Sequence, residues 1–237
     1  FIPLVDVWFT KQIPLGFKGR LLIEVGLGGC PGLLGWYMVQ SGLVDVPRVS
    51  HFRLAAHLSL ALGILGYLYW LLLDMRRVSK VNVSPAMRLG ARILLALLAF
   101  QIVYGAFTAG MRAGLGFNTY PMMGDAWLAE AATTLAPFWL NFFENVAMIQ
   151  FIHRWAAIAV ALYAVAMLVM AIRSRAERRW RRALGWVVAL IAIQVVLGIA
   201  TLLNYVPLGL ALVHQVMACF VLLGVLYVCL LYTSPSP

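Results

Sequence analysis

Apolar residues run along this chain in long unbroken blocks, without the polar stripe of a water-facing helix or the alternation of a half-buried strand. An α-helix rises about 1.5 Å per residue, so crossing a hydrocarbon core of ~30 Å takes about 20 apolar residues. Six blocks come to that length, roughly Leu21–Gln40, Leu54–Leu73, Ile93–Ala109, Val146–Ile172, Leu184–Leu203 and Leu208–Leu231. Lipid offers no partner to an unpaired backbone group, so each block is predicted to be helical. A further apolar stretch, Phe1–Phe9, is too short to span and reads as the end of another helix. With no Met at the start and no signal peptide, the chain reads as a piece of a longer protein. The predicted fold class is all-α, a polytopic membrane protein with six full transmembrane helices.

Composition agrees. Of 237 residues, 64% are apolar and 11% charged, against about 45–50% and about 25% in a soluble domain. A soluble enzyme, a disordered chain and a disulfide scaffold are excluded. Cys30, Cys219 and Cys229 all lie in apolar blocks and form no C-x-x-C, so they read as small buried residues.

The net charge of +10 changes meaning once the charges are located. Lys11, Lys18 and Arg20 precede the first span. Arg76, Arg77, Lys80, Arg88 and Arg92 separate the second from the third, and Arg173, Arg175, Arg178, Arg179, Arg181 and Arg182 the fourth from the fifth. If the spans alternate, all of these share one side, which the positive-inside rule makes the cytoplasm or matrix. Only Arg48, Arg53, Arg112 and Arg154 fall on the other. The basic charge is a topology signal, and nucleic acid is not an expected partner. The long outer loop, Gly110 to Asn145, is of a length more often functional than passive.

Three of the four histidines lie in spans that enter the membrane from the outside. Counting rise from the outer ends places His57, His153 and His214 about 7, 12 and 9 Å deep. A buried ionisable group in a span marks function by default, and three at matching depth on separate helices point to a metal. No Cys, Asp or Glu sits at helical spacing from them, which disfavours zinc or a di-iron carboxylate centre. Haem iron needs only one or two axial imidazoles. Arg154 directly follows His153 and Arg53 lies one turn before His57, so either is placed to pair with a haem propionate. His51, in a loop, reads as solvated. A weak repeat also appears: Leu34-Gly35 is followed 22 residues after the glycine by His57, and Leu197-Gly198 16 residues after it by His214. Such symmetry suggests two related bundles.

The chain resembles the haem A synthase family. The resemblance rests on Gly32-Leu33-Leu34-Gly35-Trp36-Tyr37-Met38-Val39, Ser41-Gly42-Leu43, Arg48-Val49-Ser50 and Arg53-Leu54-Ala55-Ala56-His57. It continues through Gly105-Ala106-Phe107-Thr108-Ala109-Gly110, Phe117-Asn118-Thr119-Tyr120-Pro121, Asn141-Phe142-Phe143-Glu144-Asn145, Gln150-Phe151-Ile152-His153-Arg154, Gln194 to Thr201, and Val206-Pro207 before His214. It implies a tandem pair of four-helix bundles lacking its first one or two helices here. Residues 1–90 would be the remainder of the substrate-haem bundle, 91–231 the haem b bundle and 232–237 a disordered tail. It further implies His153 and His214 as the iron ligands of a haem b cofactor; Arg154 and Arg53, by their placement beside the histidines, are the expected cofactor-binding cations. His57 would be a catalytic, iron-facing residue of the half that takes haem O as substrate.

The implied reaction oxidises a methyl group of haem O to a formyl group, giving haem A for terminal oxidases. Haem b would relay electrons to a quinone or another acceptor, and haem O synthase would be a partner. The implied location is the bacterial or mitochondrial inner membrane. The family's E-x-x-H-R motif of the substrate half is absent; Gln150-x-x-His153-Arg154 is the cofactor half's counterpart. There is no outward cysteine pair, and Cys30-Pro31 departs from the family, Pro31 reading as a kink. Two other classes remain: a di-haem cytochrome b-type electron-transfer protein, which explains the histidines equally well but not the N-F-F-E-N and F-N-T-Y-P stretches, and a repeat-built transporter, against which the spans hold no acid beyond Glu24 and few broken helices.

Overall fold

The computed structural model describes residues 2–10, 13, 16–42, 50–76 and 80–233. Lys11 and Arg77 of the basic segments, the Arg48-Val49 motif and residues 234–237 of the expected tail lie outside the described residues. Eight α-helices follow in order: α1 (Ile2–Phe9), α2 (Lys18–Gly42), α3 (His51–Met75), α4 (Pro85–Gly110), α5 (Asn141–Glu144), α6 (Val146–Arg173), α7 (Arg178–Leu203) and α8 (Leu208–Leu230). Three short 3₁₀ turns lie between α4 and α5, and among the described residues the only β pairing is an isolated bridge between Met123 and Ala126.

Local chemistry sets the helix ends. Pro85 begins α4 behind Ser84, whose hydroxyl accepts from the Met87 amide; a proline costs nothing where the N–H has no helical partner. Asn145 caps α6, its Oδ1 accepting from the amides of Ala147 and Met148 at 2.9 and 3.2 Å. Between α7 and α8 the chain turns on Tyr205 and Val206, both at positive φ, and Pro207 restarts the helix.

Five described helices, α3, α4, α6, α7 and α8, are long and apolar enough to cross a membrane. That is one fewer than the six expected. The difference is α2: it has the length, and it continues helically through Pro31, but Glu24 and five glycines between Gly26 and Gly35 dilute its apolar content.

The helices α4, α6, α7 and α8 close into a four-helix ring in which each packs on two neighbours. Helix α3 lies against α4 and α8, and α2 against α3. The ring's core holds Leu94, Ala164, Trp180, Leu184, Val187, Val221, Val225 and Val228. Trp180 is fully buried, and its indole N–H donates to the Val228 carbonyl. At Gly90 an added Cβ would meet the Met167 sulfur at 2.4 Å, so the end of the methionine side chain packs into the space the glycine leaves between α4 and α6. Large apolar side chains instead cover the outside, Leu162, Trp186, Val196 and Leu208 among them. In water such a surface would aggregate, and in a bilayer it is the solvated one. The protein is a multi-pass membrane protein.

Both ends of the bundle are tied. At the basic end Arg20 pairs with Asp74, the Val81 amide donates to the Leu231 carbonyl, and the Arg179 guanidinium donates to the Tyr227 hydroxyl. The other end carries the long loop between α4 and α6.

Candidate functional site

Helix starts in the structure bring the three histidines to nearly one level. His57 is six residues into α3, His153 seven into α6 and His214 six into α8, which is about 9 to 10 Å of rise in each case. Each ring rests on a glycine of a neighbouring helix. A Cβ at Gly105 of α4 would lie 3.1 Å from Cε1 of His153, one at Gly198 of α7 would lie 3.0 Å from Cε1 of His214, and one at Gly35 of α2 would lie 3.7 Å from Cε1 of His57. The missing side chain is what makes room for the imidazole. His153 and His214 belong to the same helical ring. His57 belongs to the α2–α3 pair outside that ring.

Two glutamines, not singled out from the sequence, reach these rings. Gln101 Nε2 is 3.0 Å from His153 Nδ1 and also donates to the His153 carbonyl at 3.0 Å. Gln194 Nε2 is 3.4 Å from His214 Nε2. Both sit four residues before the seating glycine. Three residues after each glycine comes a threonine whose hydroxyl bonds back along its own helix, Thr108 to Tyr104 and Thr201 to Leu197. The pattern Q-x-x-x-G-x-x-T thus occurs at Gln101–Thr108 and at Gln194–Thr201, and was legible as a repeat. In α2 the matching positions are Pro31, Gly35 and Met38.

Arg154 points into the outer loop. Its Nη1 donates to the carbonyls of Thr119, Pro121 and Met122 and its Nη2 to that of Phe117, while Nε is buried without a partner. The residue is 9% exposed, and among the described residues no carboxylate pairs with it. It therefore holds the Phe117–Met122 segment and leaves a buried positive charge beside His153. Arg53 instead lies over the Tyr37 ring of α2, 5.0 Å from its centroid, the stacked geometry typical of a guanidinium on an aromatic face.

The motif residues of the loop are its scaffold. Asn118 donates to the carbonyls of Gly114 and Leu202, and Gln150 donates to that of Phe117. Asn141, fully buried, bonds both the amide and the carbonyl of Leu135, and Asn145 Nδ2 bonds Asn141 Oδ1 and the Ala131 carbonyl. His51 corrects the expectation of a solvated residue. Its Nε2 lies 2.8 Å from the Phe143 carbonyl, its ring packs on Phe52 and Phe107, and its side chain is 11% exposed.

Among the described residues, no three His, Cys, Asp or Glu side chains gather as a metal-ion site. A haem needs fewer. Two imidazoles in one ring of helices, each with an amide beside it, and a buried cation at the loop end with no carboxylate partner among the described residues fit an anionic porphyrin. The buried carbonyl oxygens Oε1 of both Gln101 and Gln194, and Nδ1 of His214 and His57, have no partner among the described residues. Such orphans are uncommon in packed interiors and mark a polar site. A separate groove of about 340 Å³ between α4 and α6, lined by Leu97, Phe100, Phe151, Ile152 and Trp155 among others, holds no histidine and is apolar throughout.

The family described as cytochrome oxidase assembly protein matches residues 1–226. A heme A synthase of Rhizorhabdus wittichii is 42% identical over 229 residues, covering 94% of this chain and 64% of the relative. One from Rhodopseudomonas palustris is 44% identical over 227 residues, covering 93% and 62%. One from Bos taurus is 39% identical over 224 residues, covering 90% and 54%. The chain thus spans between about half and two thirds of the length of these relatives. With residues 1–226 matched in a single alignment that takes in all three seated histidines, the chain belongs to the cytochrome oxidase assembly protein family.

Proposed function

We propose that the whole protein is a haem A synthase of the inner membrane, oxidising a methyl group of haem O to a formyl group. The observation that carries this reading is the pair His153 and His214, seated on Gly105 and Gly198 within one four-helix ring, in a chain about 40% identical to proteins of that name. Residues 91–231 form the cofactor bundle in this reading, and residues 1–90 belong to the substrate half. His153 and His214 would hold the iron of haem b, and a haem held by two imidazoles would supply one-electron transfer.

The chain's own residues do the rest. Gly105 and Gly198 set how closely the imidazoles approach α4 and α7. Arg154 places an uncompensated positive charge where a propionate end would lie, and its hydrogen bonds keep the Phe117–Met122 segment closed over that end. Arg53, stacked over the Tyr37 ring, is the cation on the His57 side, where haem O would be taken. With water as the oxygen source, methyl to formyl releases four electrons and four protons, which two quinone molecules take up. Haem O synthase is the partner expected to deliver the substrate.

A pyridine haemochrome assay on the purified whole protein tests this. Haem O or haem A beside haem b supports it. Haem b alone makes the protein a cytochrome b-type electron carrier, and no haem at all overturns both readings.

A further inference from the structure

We infer that Gln101 and Gln194 are positioning residues that fix the imidazoles of a permanently held haem, whereas Pro31 leaves His57 unfixed so that its porphyrin can exchange. The inference rests on the reading of His153 and His214 as haem ligands.

The three sites share one design. A helix presents a glycine to an imidazole of the neighbouring helix, and the residue four positions earlier lies on the same face, one turn below. On α4 and α7 that residue is glutamine, and its amide reaches a ring nitrogen at 3.0 and 3.4 Å. On α2 it is Pro31, which has no hydrogen-bonding side chain to offer His57; Nδ1 of His57, like Nδ1 of His214, has no partner among the described residues. The asymmetry follows the division of labour. A cofactor that only passes electrons has no reason to leave, while haem O must enter and haem A must depart.

The chemistry of the amide suits the task. An imidazole that gives one nitrogen to iron keeps an N–H on the other, and that N–H needs an acceptor. Each glutamine places its amide Nε2 at the ring nitrogen here and keeps a buried carbonyl oxygen, Oε1, with no partner among the described residues. A half-turn of the amide about its last bond presents that oxygen to the ring N–H, and Gln101 then gives up its bond to the His153 carbonyl. Partners of this kind typically change metal affinity roughly ten- to hundredfold.

The test uses the whole protein in detergent, with apomyoglobin as haem acceptor. Gln101→Leu and Gln194→Leu are expected to lose haem b about tenfold faster and to shift its low-spin EPR g-values, because the ring planes are freed. Gln101→Glu, of the same shape and a stronger acceptor, is expected to keep the haem and lower its midpoint potential. Pro31→Gln is expected to slow loss of the substrate-side haem about tenfold relative to Pro31→Ala. The inference is overturned if the Leu variants keep wild-type loss rates and g-values, if Gln101→Glu leaves the potential unchanged, or if Pro31→Gln behaves as Pro31→Ala. His153→Ala separates the two levels. If it keeps the low-spin haem, the ligand reading itself fails; if it loses the haem while the Leu variants do not, only the role of the glutamines fails.

Discussion

Substituting Gly198 by alanine adds one methyl group at the point where α7 carries the His214 ring. That methyl would lie 3.0 Å from Cε1, 3.5 Å from Nδ1 and 3.7 Å from Nε2. Carbon atoms rest at about 3.5–4.0 Å, so the ring must retreat by about 0.5 Å. Metal–ligand distances tolerate only about 0.2 Å. Overfilling a packed site costs about 1–3 kcal/mol, while alanine for glycine within a helix returns up to about 1 kcal/mol. The fold is therefore expected to survive and haem affinity to fall by roughly five- to hundredfold. Gly185→Ala is the control, because it lies on the same helix and its Cβ would meet nothing within 4 Å. Haem b content by pyridine haemochrome, the low-spin EPR signal and thermal unfolding are measured on both variants. Full haem content and unaltered EPR in Gly198→Ala would show that His214 is free to swing away, and the seat would have no role.

Replacing His153 or His214 by Ala is expected to abolish the low-spin haem b spectrum, whereas His57→Ala abolishes haem A formation with haem b retained. If His57→Ala also loses haem b, the division of the two halves is wrong. Arg154→Leu removes hydrogen bonds to four carbonyls, of which those of Phe117 and Met122 keep a second donor, at a cost of about 3 kcal/mol, and limited proteolysis should then cut between Phe117 and Met122; Lys at 154 should not restore protection, since an ammonium cannot span the same fork. Ser174→Cys should resist a membrane-impermeant thiol reagent in intact cells while Thr134→Cys reacts, and the reverse pattern would invert the topology.

The spans were legible because a bilayer asks only for length and apolarity, and α3, α4, α6, α7 and α8 meet both with little interruption. The same rule counted α2 as a sixth span; it has the length, but Glu24 and its glycines lower its apolar content. The histidines were legible because an imidazole in lipid needs a reason to be there. The glutamines obey the same logic and were missed, since the repeat was sought in Leu-Gly steps and not in the amide one turn earlier. His51 was misread for a different reason. Its partner, the Phe143 carbonyl, is 92 residues away, and nothing local to His51 announces it. The asparagines at 141 and 145 were visible as a motif, but their work, joining Leu135, Ala131 and the start of α6, exists only in the folded loop.

That loop also explains why the repeat is unequal. From seating glycine to histidine the chain takes 22 residues at Gly35–His57 and 16 at Gly198–His214, but 48 at Gly105–His153. The excess is the segment between α4 and α6, so it sits at the outer turn of one helix pair. The residue after each histidine differs accordingly. Leu58 and Gln215 follow His57 and His214, while Arg154 follows His153, and only Arg154 has a loop of carbonyls above it to bind. The loop in turn reaches both neighbours, to α7 through Asn118 and the Leu202 carbonyl and to α3 through Phe143 and His51. Arg154 thus fastens to the His153 turn a segment that also touches, through Asn118, the helix seating His214. A change at Arg154 should therefore be felt at both of those histidines, whereas a change at Gly198 should be felt at one.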